Sequence, residues 1–227
     1  MAITRERYRL VPAKGSAMKI DGETRSARKD REIIQAATAA FIGKGYDGTS
    51  MEEIATKAGA SKQTVYKHFT DKETLFGEVV LSTAGQVNDI IESVTTLLSE
   101  AKFMEGGLQQ LARRLIAVLM DEELLKLRRL IIANADRMPQ LGRSWYEKGF
   151  ERMLASTASC FQKLTDRGLI QTSDPYLAAS HLFGMLLWIP MNEAMFTGSN
   201  RRSKADLERH ADASVEAFLV AYGVQPK

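Results

Sequence analysis

Between residues 75 and 98 the apolar side chains Leu75, Phe76, Val79, Val80, Val87, Ile90, Ile91, Val94 and Leu98 recur three to four positions apart. That spacing lays them along one stripe of an α-helix and excludes a strand, whose side chains alternate face at every residue. A stripe this long must be buried against other helices. The rest of the chain offers only helical partners, since no segment sustains two-residue alternation and only five prolines interrupt it. The expected fold class is therefore all-α, and a 44% hydrophobic content suffices for a helical core.

Local signals divide the chain. Residues 1–24 mix Pro12, Gly15, Ser16 and Gly22 with charges and lack periodicity, which reads as a flexible basic arm. Part of it ("LVPAKGS") resembles an engineered cleavage linker. A first helix is expected from about Ala27 to Gly43, with Gly45 as its cap. Ser50-Met51-Glu52-Glu53 has the pattern of a capping box opening a short helix, and Ser61 caps another after a turn at Gly59. Asp71 opens the long helix. Gly106-Gly107 should break the chain before a helix from Leu108 to Met120, followed by one over about Glu122 to Ala135. Pro139 should open a long helix ending at Gly168. Asp174-Pro175 should start another that Pro190 disturbs, and a last one should run from Lys204 to Tyr222. The expected organisation is an amino-terminal helix-turn-helix domain over residues 25–72 and a larger helical domain over residues 73–227.

The two short helices differ in kind. The first carries Ile54 and Ala55. The second, "SKQTVYKHF", has only Val65 and Phe69 suited to a core. Such a division suits a helix-turn-helix, in which buried residues of one face leave the other free to enter a major groove. No acidic residue falls between Glu53 and Asp71, so the displayed cluster of hydroxyl, amide and basic groups matches phosphates and base edges. Overall charge is only +3, yet residues 1–31 hold nine basic against four acidic residues. Among them, Arg25, Arg28 and Lys29 lie at the first helix start, where cations oppose the helix dipole by about 0.3–1 kcal/mol each. Phosphate contact would compensate.

The stretch "FIGKGYDGTSMEEIATKAGASKQTVYKHFTDKETLF", residues 41–76, resembles the amino-terminal DNA-binding module of the tetracycline-repressor (TetR) family. The resemblance covers about residues 26–80. Beyond it only the helix count and a final helix pair suited to dimerisation match, although "LIIANADRMPQLGRSWY", residues 130–146, is similar to one ligand-domain subgroup. The resemblance implies a homodimeric, ligand-responsive DNA-binding regulator, most simply a repressor released from a palindromic double-stranded DNA operator by a small-molecule effector. It implies a recognition helix from Ser61 to Lys67, with Gln63, Thr64 and Tyr66 nearest bases and Lys62, Lys67 and His68 nearest phosphates. Thr49, Ser50 and Lys72 would touch the DNA backbone from neighbouring helix starts. Family members usually carry a small residue where Gln63 stands.

Other chemistries find little support. "GKGYDG", residues 43–48, fits a dinucleotide-binding pattern by letter, but it follows a helix end where the motif must follow a strand. His68, His181 and His210 form no metal-binding pattern, and Cys160 reads as a buried thiol, so neither an enzyme nor a cofactor is expected. The lone cysteine and the absence of a long apolar run suit a cytoplasmic protein with no membrane contact. Methionines and aromatics crowd the second half. Trp145, Phe150, Met153, Met185 and Trp188, with His181 as polar contact, are candidate lining for an apolar or aromatic effector. Ala178, Ala179 and Gly184, with Leu207, Ala211, Phe218 and Tyr222, suit a four-helix dimer interface. The alternative from a different class is an architectural DNA-binding protein without an inducer.

Overall fold

The computed structural model describes residues 24–100 and 104–224, so the expected basic arm lies outside the described residues apart from Thr24. Helix α1 (Arg25–Lys44) begins where the Thr24 hydroxyl accepts from the Ala27 N–H at 3.2 Å. It ends at Gly45, whose φ of 77° a residue with a Cβ rarely adopts and whose N–H reaches the Phe41 carbonyl at 2.8 Å. Helices α2 (Met51–Lys57) and α3 (Lys62–His68) are capped by Ser50 and Ser61. The chain continues through α4 (Lys72–Glu100), α5 (Met104–Leu119), α6 (Glu122–Asn134) and α7 (Pro139–Trp145). A π-helical segment (Tyr146–Glu151) leads into α8 (Arg152–Asp166), and α9 (Pro175–Thr197) and α10 (Lys204–Tyr222) complete the chain. Among the described residues every named element is helical, and no helix is long and apolar enough to cross a membrane.

Contacts divide the chain into two compact units. The first holds the described residues up to 84 together with residues 126–145. Its core joins Ile33, Ala37 and Phe41 of α1, Ile54 of α2 and Val65 of α3 to Leu75, Phe76, Val79 and Val80 of α4. Leu127, Ile131, Met138 and Leu141 from α6 and α7 belong to the same cluster. Three short helices bury too little by themselves, and these later segments supply the remaining apolar surface.

The second unit holds residues 85–125 and the described residues from 146 onward. Phe161 of α8 and Phe218 of α10, both fully buried, meet with ring centroids 5.2 Å apart. The Arg113 guanidinium grips both carboxylate oxygens of Asp212, at 2.7 and 2.6 Å, fastening α5 to α10.

Two expectations are corrected. Gly106 and Gly107 do not break the chain; they lie in the first turns of α5, where the leading N–H groups lack intrahelical partners in any helix. The helix opened by Pro139 is not uniform, because the π-helical turn of Tyr146–Glu151 interrupts it. There the buried Asn88 amide donates to the Lys148 carbonyl at 2.7 Å, satisfying a backbone acceptor of the widened turn. The disturbance expected at Pro190 is local, and α9 continues through it. Proline removes the N–H that would serve the Leu186 carbonyl, and His210 of α10 supplies a replacement at 3.1 Å.

Candidate nucleic-acid interface

Helix α3 is anchored by Val65 and Phe69, both buried. Its other face carries Lys62, Gln63, Tyr66 and Lys67, all exposed, with Tyr66 at 43%. Positions 62, 63, 66 and 67 share one helix side, so an exposed polar row stands over a two-residue anchor. Ser61 caps the helix by accepting from the Thr64 N–H at 3.1 Å, and its hydroxyl shares a 2.8 Å hydrogen bond with the Thr64 hydroxyl. Thr64 is half-buried in consequence. Ser50 caps α2 in the same way, accepting from the Glu53 N–H at 3.2 Å.

Not every expected contact residue is available. Thr49 is 2% exposed, and its hydroxyl faces the Gly45 carbonyl at 2.8 Å and the Ala40 carbonyl at 3.2 Å. Its side chain ties the α1–α2 turn together, which corrects the expectation of a backbone phosphate contact. The Lys72 ammonium donates to the Tyr46 carbonyl at 2.9 Å and the Thr49 carbonyl at 3.0 Å, and lies 4.4 Å from the Tyr46 ring centroid. One of its three protons remains. His68 is paired through Nδ1 with Asp30 of α1 at 2.5 Å, leaving Nε2. Both residues brace the motif.

At the start of α1, Arg25 and Arg28 are exposed, whereas Lys29 is held by Glu32 at 2.7 Å. The Arg28 side chain reaches the same carboxylate at 3.4 Å but remains largely in solvent. Glu32 titrates below the usual carboxylate range, chiefly because of its hydrogen bond from Lys29. Lys62 pairs with Glu52 of α2 and lies 5.7 Å from the Tyr66 ring centroid. The pairing lowers the Glu52 pKa and raises that of Lys62. Sequence patterns had not identified the pairings of Glu52 with Lys62 and Asp30 with His68, or the Arg137–Asp47 pair beside Tyr46, which closes at 3.0 Å. None of these has a local sequence signature.

The six candidate effector contacts are divided between the two units. Trp145 packs against the core of the first unit. In the second, Met153 is buried and Phe150 stacks on Tyr146 at 5.8 Å. Met185 and Trp188 are exposed on α9, Trp188 at 69%, and His181 is exposed with Nδ1 2.6 Å from the Tyr222 hydroxyl. Composition alone had grouped these residues, and the buried stripe of α9 runs through Ala178, Ala179, Leu182, Phe183 and Leu186. A cleft of about 370 Å³ in the first unit is lined by residues including Gly77, Leu81, Met138 and Gln140, and by none of the six. The Cys160 thiol is buried as expected, which pushes its pKa up to about 11.

Comparison with known proteins is consistent along the chain. Residues 33–79 match the model for bacterial regulatory proteins of the tetR family, and residues 106–224 match the C-terminal domain of AefR-like transcriptional repressors. A crystal structure of a TetR-family transcriptional regulator from Mesorhizobium loti MAFF303099 is 96% identical, covering 89% of this chain and all of that one, with a TM-score of 0.87. The structure of the flavonoid-responsive regulator FrrA is 25% identical over 88% of this chain and 99% of its own, with a TM-score of 0.67. Among curated sequences, the uncharacterised HTH-type transcriptional regulator YhgD of Bacillus subtilis strain 168 is 29% identical over 68% of this chain and 78% of its own.

Proposed function

The chain belongs to the TetR family of DNA-binding transcriptional regulators, and on that premise we propose that it is a homodimeric repressor released from a palindromic operator by a small molecule. The family is one of regulators rather than enzymes. One observation carries the reading: α3 exposes Lys62, Gln63, Tyr66 and Lys67 over a buried Val65–Phe69 anchor. In this reading Gln63, Thr64 and Tyr66 meet bases, while Arg25, Arg28, Ser50, Ser61, Lys62 and Lys67 meet phosphates. His68 and Lys72 act mainly by bracing α3 and the α1–α2 turn.

Dimer formation is supported by α9 and α10, which expose Leu177, Met185, Trp188, Ile189 and Val220. Solvent-facing apolar side chains in such number mark an interaction surface. The effector is proposed to have an apolar or aromatic body, a chemistry represented among relatives by the flavonoid-responsive regulator. A ligand acts only through different affinities for the DNA-competent and DNA-incompetent states.

Selection of bound DNA from a random pool tests the reading. It should return a near-palindromic site, and an effector that weakens operator binding must itself bind less tightly when operator is present. Recovery of no preferred sequence, with no compound changing DNA affinity, would instead favour an architectural DNA-binding protein without an inducer.

A further inference from the structure

In the first unit a cleft of about 370 Å³ separates the start of α4 from α7. A volume of that order is in the range of small-molecule sites. Gly77 stands on its wall inside α4, and a Cβ built there would meet no atom within 4 Å. Glycine is among the least favourable residues in a helix interior, and alanine would fit the space. Packing therefore does not call for glycine at this position; the missing side chain keeps the cleft open. Buried Met138 and Leu141, with half-buried Leu81, give the cleft an apolar side.

The polar side is acidic. The Gln140 amide of α7 donates to the Glu73 carboxylate of α4 at 2.7 Å, so this carboxylate is held at the cleft with acceptor capacity to spare. Asp71 accepts from the Thr74 N–H at 2.7 Å, a bond that holds its carboxyl below the usual carboxylate range and keeps it ionised at neutral pH. Lys72, between the two acids in sequence, turns to the Tyr46 and Thr49 carbonyls, and among the described residues no basic side chain lines the cleft. Among the described residues, too, no three His, Cys, Asp or Glu side chains gather as metal ligands, so an organic cation fits this charge better than a metal ion.

From the cavity, its missing side chain and its charge we propose that this cleft binds a small organic cation. Its primary ammonium pairs with Glu73, and its short apolar body lies beside Gly77 against Leu81, Met138 and Leu141. An occupant would brace α4 against α7 within the unit that carries α3. The inference goes beyond the regulator reading and does not depend on it.

The test titrates full-length protein at neutral pH with benzylamine and hexylamine, each beside its neutral counterpart, benzyl alcohol and hexanol. Calorimetry and the rise in melting temperature report binding. At least one amine should bind at millimolar concentration or below, and at least about 10-fold more tightly than its alcohol, the discrimination expected of a charged hydrogen bond. Glu73→Gln keeps an acceptor for Gln140 and removes the charge, so it should weaken that amine about 10- to 100-fold and leave the alcohol unchanged. Gly77→Leu should fill the cleft and abolish binding of both. Gly77→Ala keeps the test open if the larger side chain prevents folding: it should melt no lower than wild type and still weaken the amine. Failure of both amines to bind wild type overturns the assignment, as does equal affinity for amine and alcohol. Amine binding unchanged in Glu73→Gln and in the Gly77 variants overturns it as well.

Discussion

His210 donates from Nε2 to the carbonyl of Leu186, 3.1 Å away, the acceptor that Pro190 leaves without its helical partner. A proline in the middle of α9 is thereby accommodated by a side chain twenty positions later in sequence. The tautomer follows from the bond: a carbonyl only accepts, so Nε2 carries the proton.

This relationship is measurable as a coupling. His210→Phe should destabilise the protein by about 1–3 kcal/mol by orphaning a buried carbonyl. In a Pro190→Ala background the restored Ala N–H serves Leu186, and the same histidine substitution should cost clearly less. Urea denaturation of the four proteins gives the interaction energy directly. Additive effects would show that His210 does not compensate for Pro190.

Lys72 offers a second separation of bracing from binding. Lys72→Met should lower stability by about 1–3 kcal/mol, because the Tyr46 and Thr49 carbonyls lose a shared charged donor. If Lys72 mainly braces, the change should appear in the melting temperature of free protein as well as in DNA affinity. Reduced affinity with unchanged stability would make it a phosphate contact instead.

Much of this arrangement was legible in the sequence because its causes are local. Ser50 and Ser61 cap helices within three residues of themselves, and the α4 stripe is written in its own spacing. Val65 and Phe69 stand out as the only core-like residues of their helix. What escaped depended on distant partners. Nothing near Thr49 shows that its hydroxyl turns inward toward Ala40, and nothing near Pro190 announces His210. The outward direction of Met185 and Trp188 depends on which side of α9 meets α8 and α10, and a helix apolar nearly all round does not reveal that.

The Cys160 thiol links stability to pH. Its pKa is raised by burial from 9.0 to about 11, so the native state holds this proton more tightly than the unfolded chain does. The contribution is therefore complete below pH 9 and is lost as pH rises toward about 11. A shift of this size corresponds to about 2–3 kcal/mol. The stability difference between wild type and Cys160→Ala should narrow by that order between pH 8.5 and 11, read from urea denaturation. A difference constant across that range would refute the coupling.

Assembly follows from the uncovered side of α9. Wild type should scatter light as a dimer at micromolar concentration, and Trp188→Glu should weaken association by at least about 30-fold, the cost of losing an interface hot spot. A wild-type monomer would contradict the proposed dimer, while an unaffected Trp188→Glu dimer would move the interface away from this side of α9.

The central claim is that the exposed row of α3 reads DNA, and fluorescence anisotropy on the selected operator tests it most directly. If the dimer neutralises about 6–10 phosphates, log affinity should fall against log salt with a slope of roughly −5 to −9. Tyr66→Ala and Thr64→Ala should keep the fold and the salt-dependent binding to random DNA, yet lose about 1–3 kcal/mol of preference for the operator at each affected base pair. An operator preference in both variants equal to that of wild type would contradict α3 as the recognition helix.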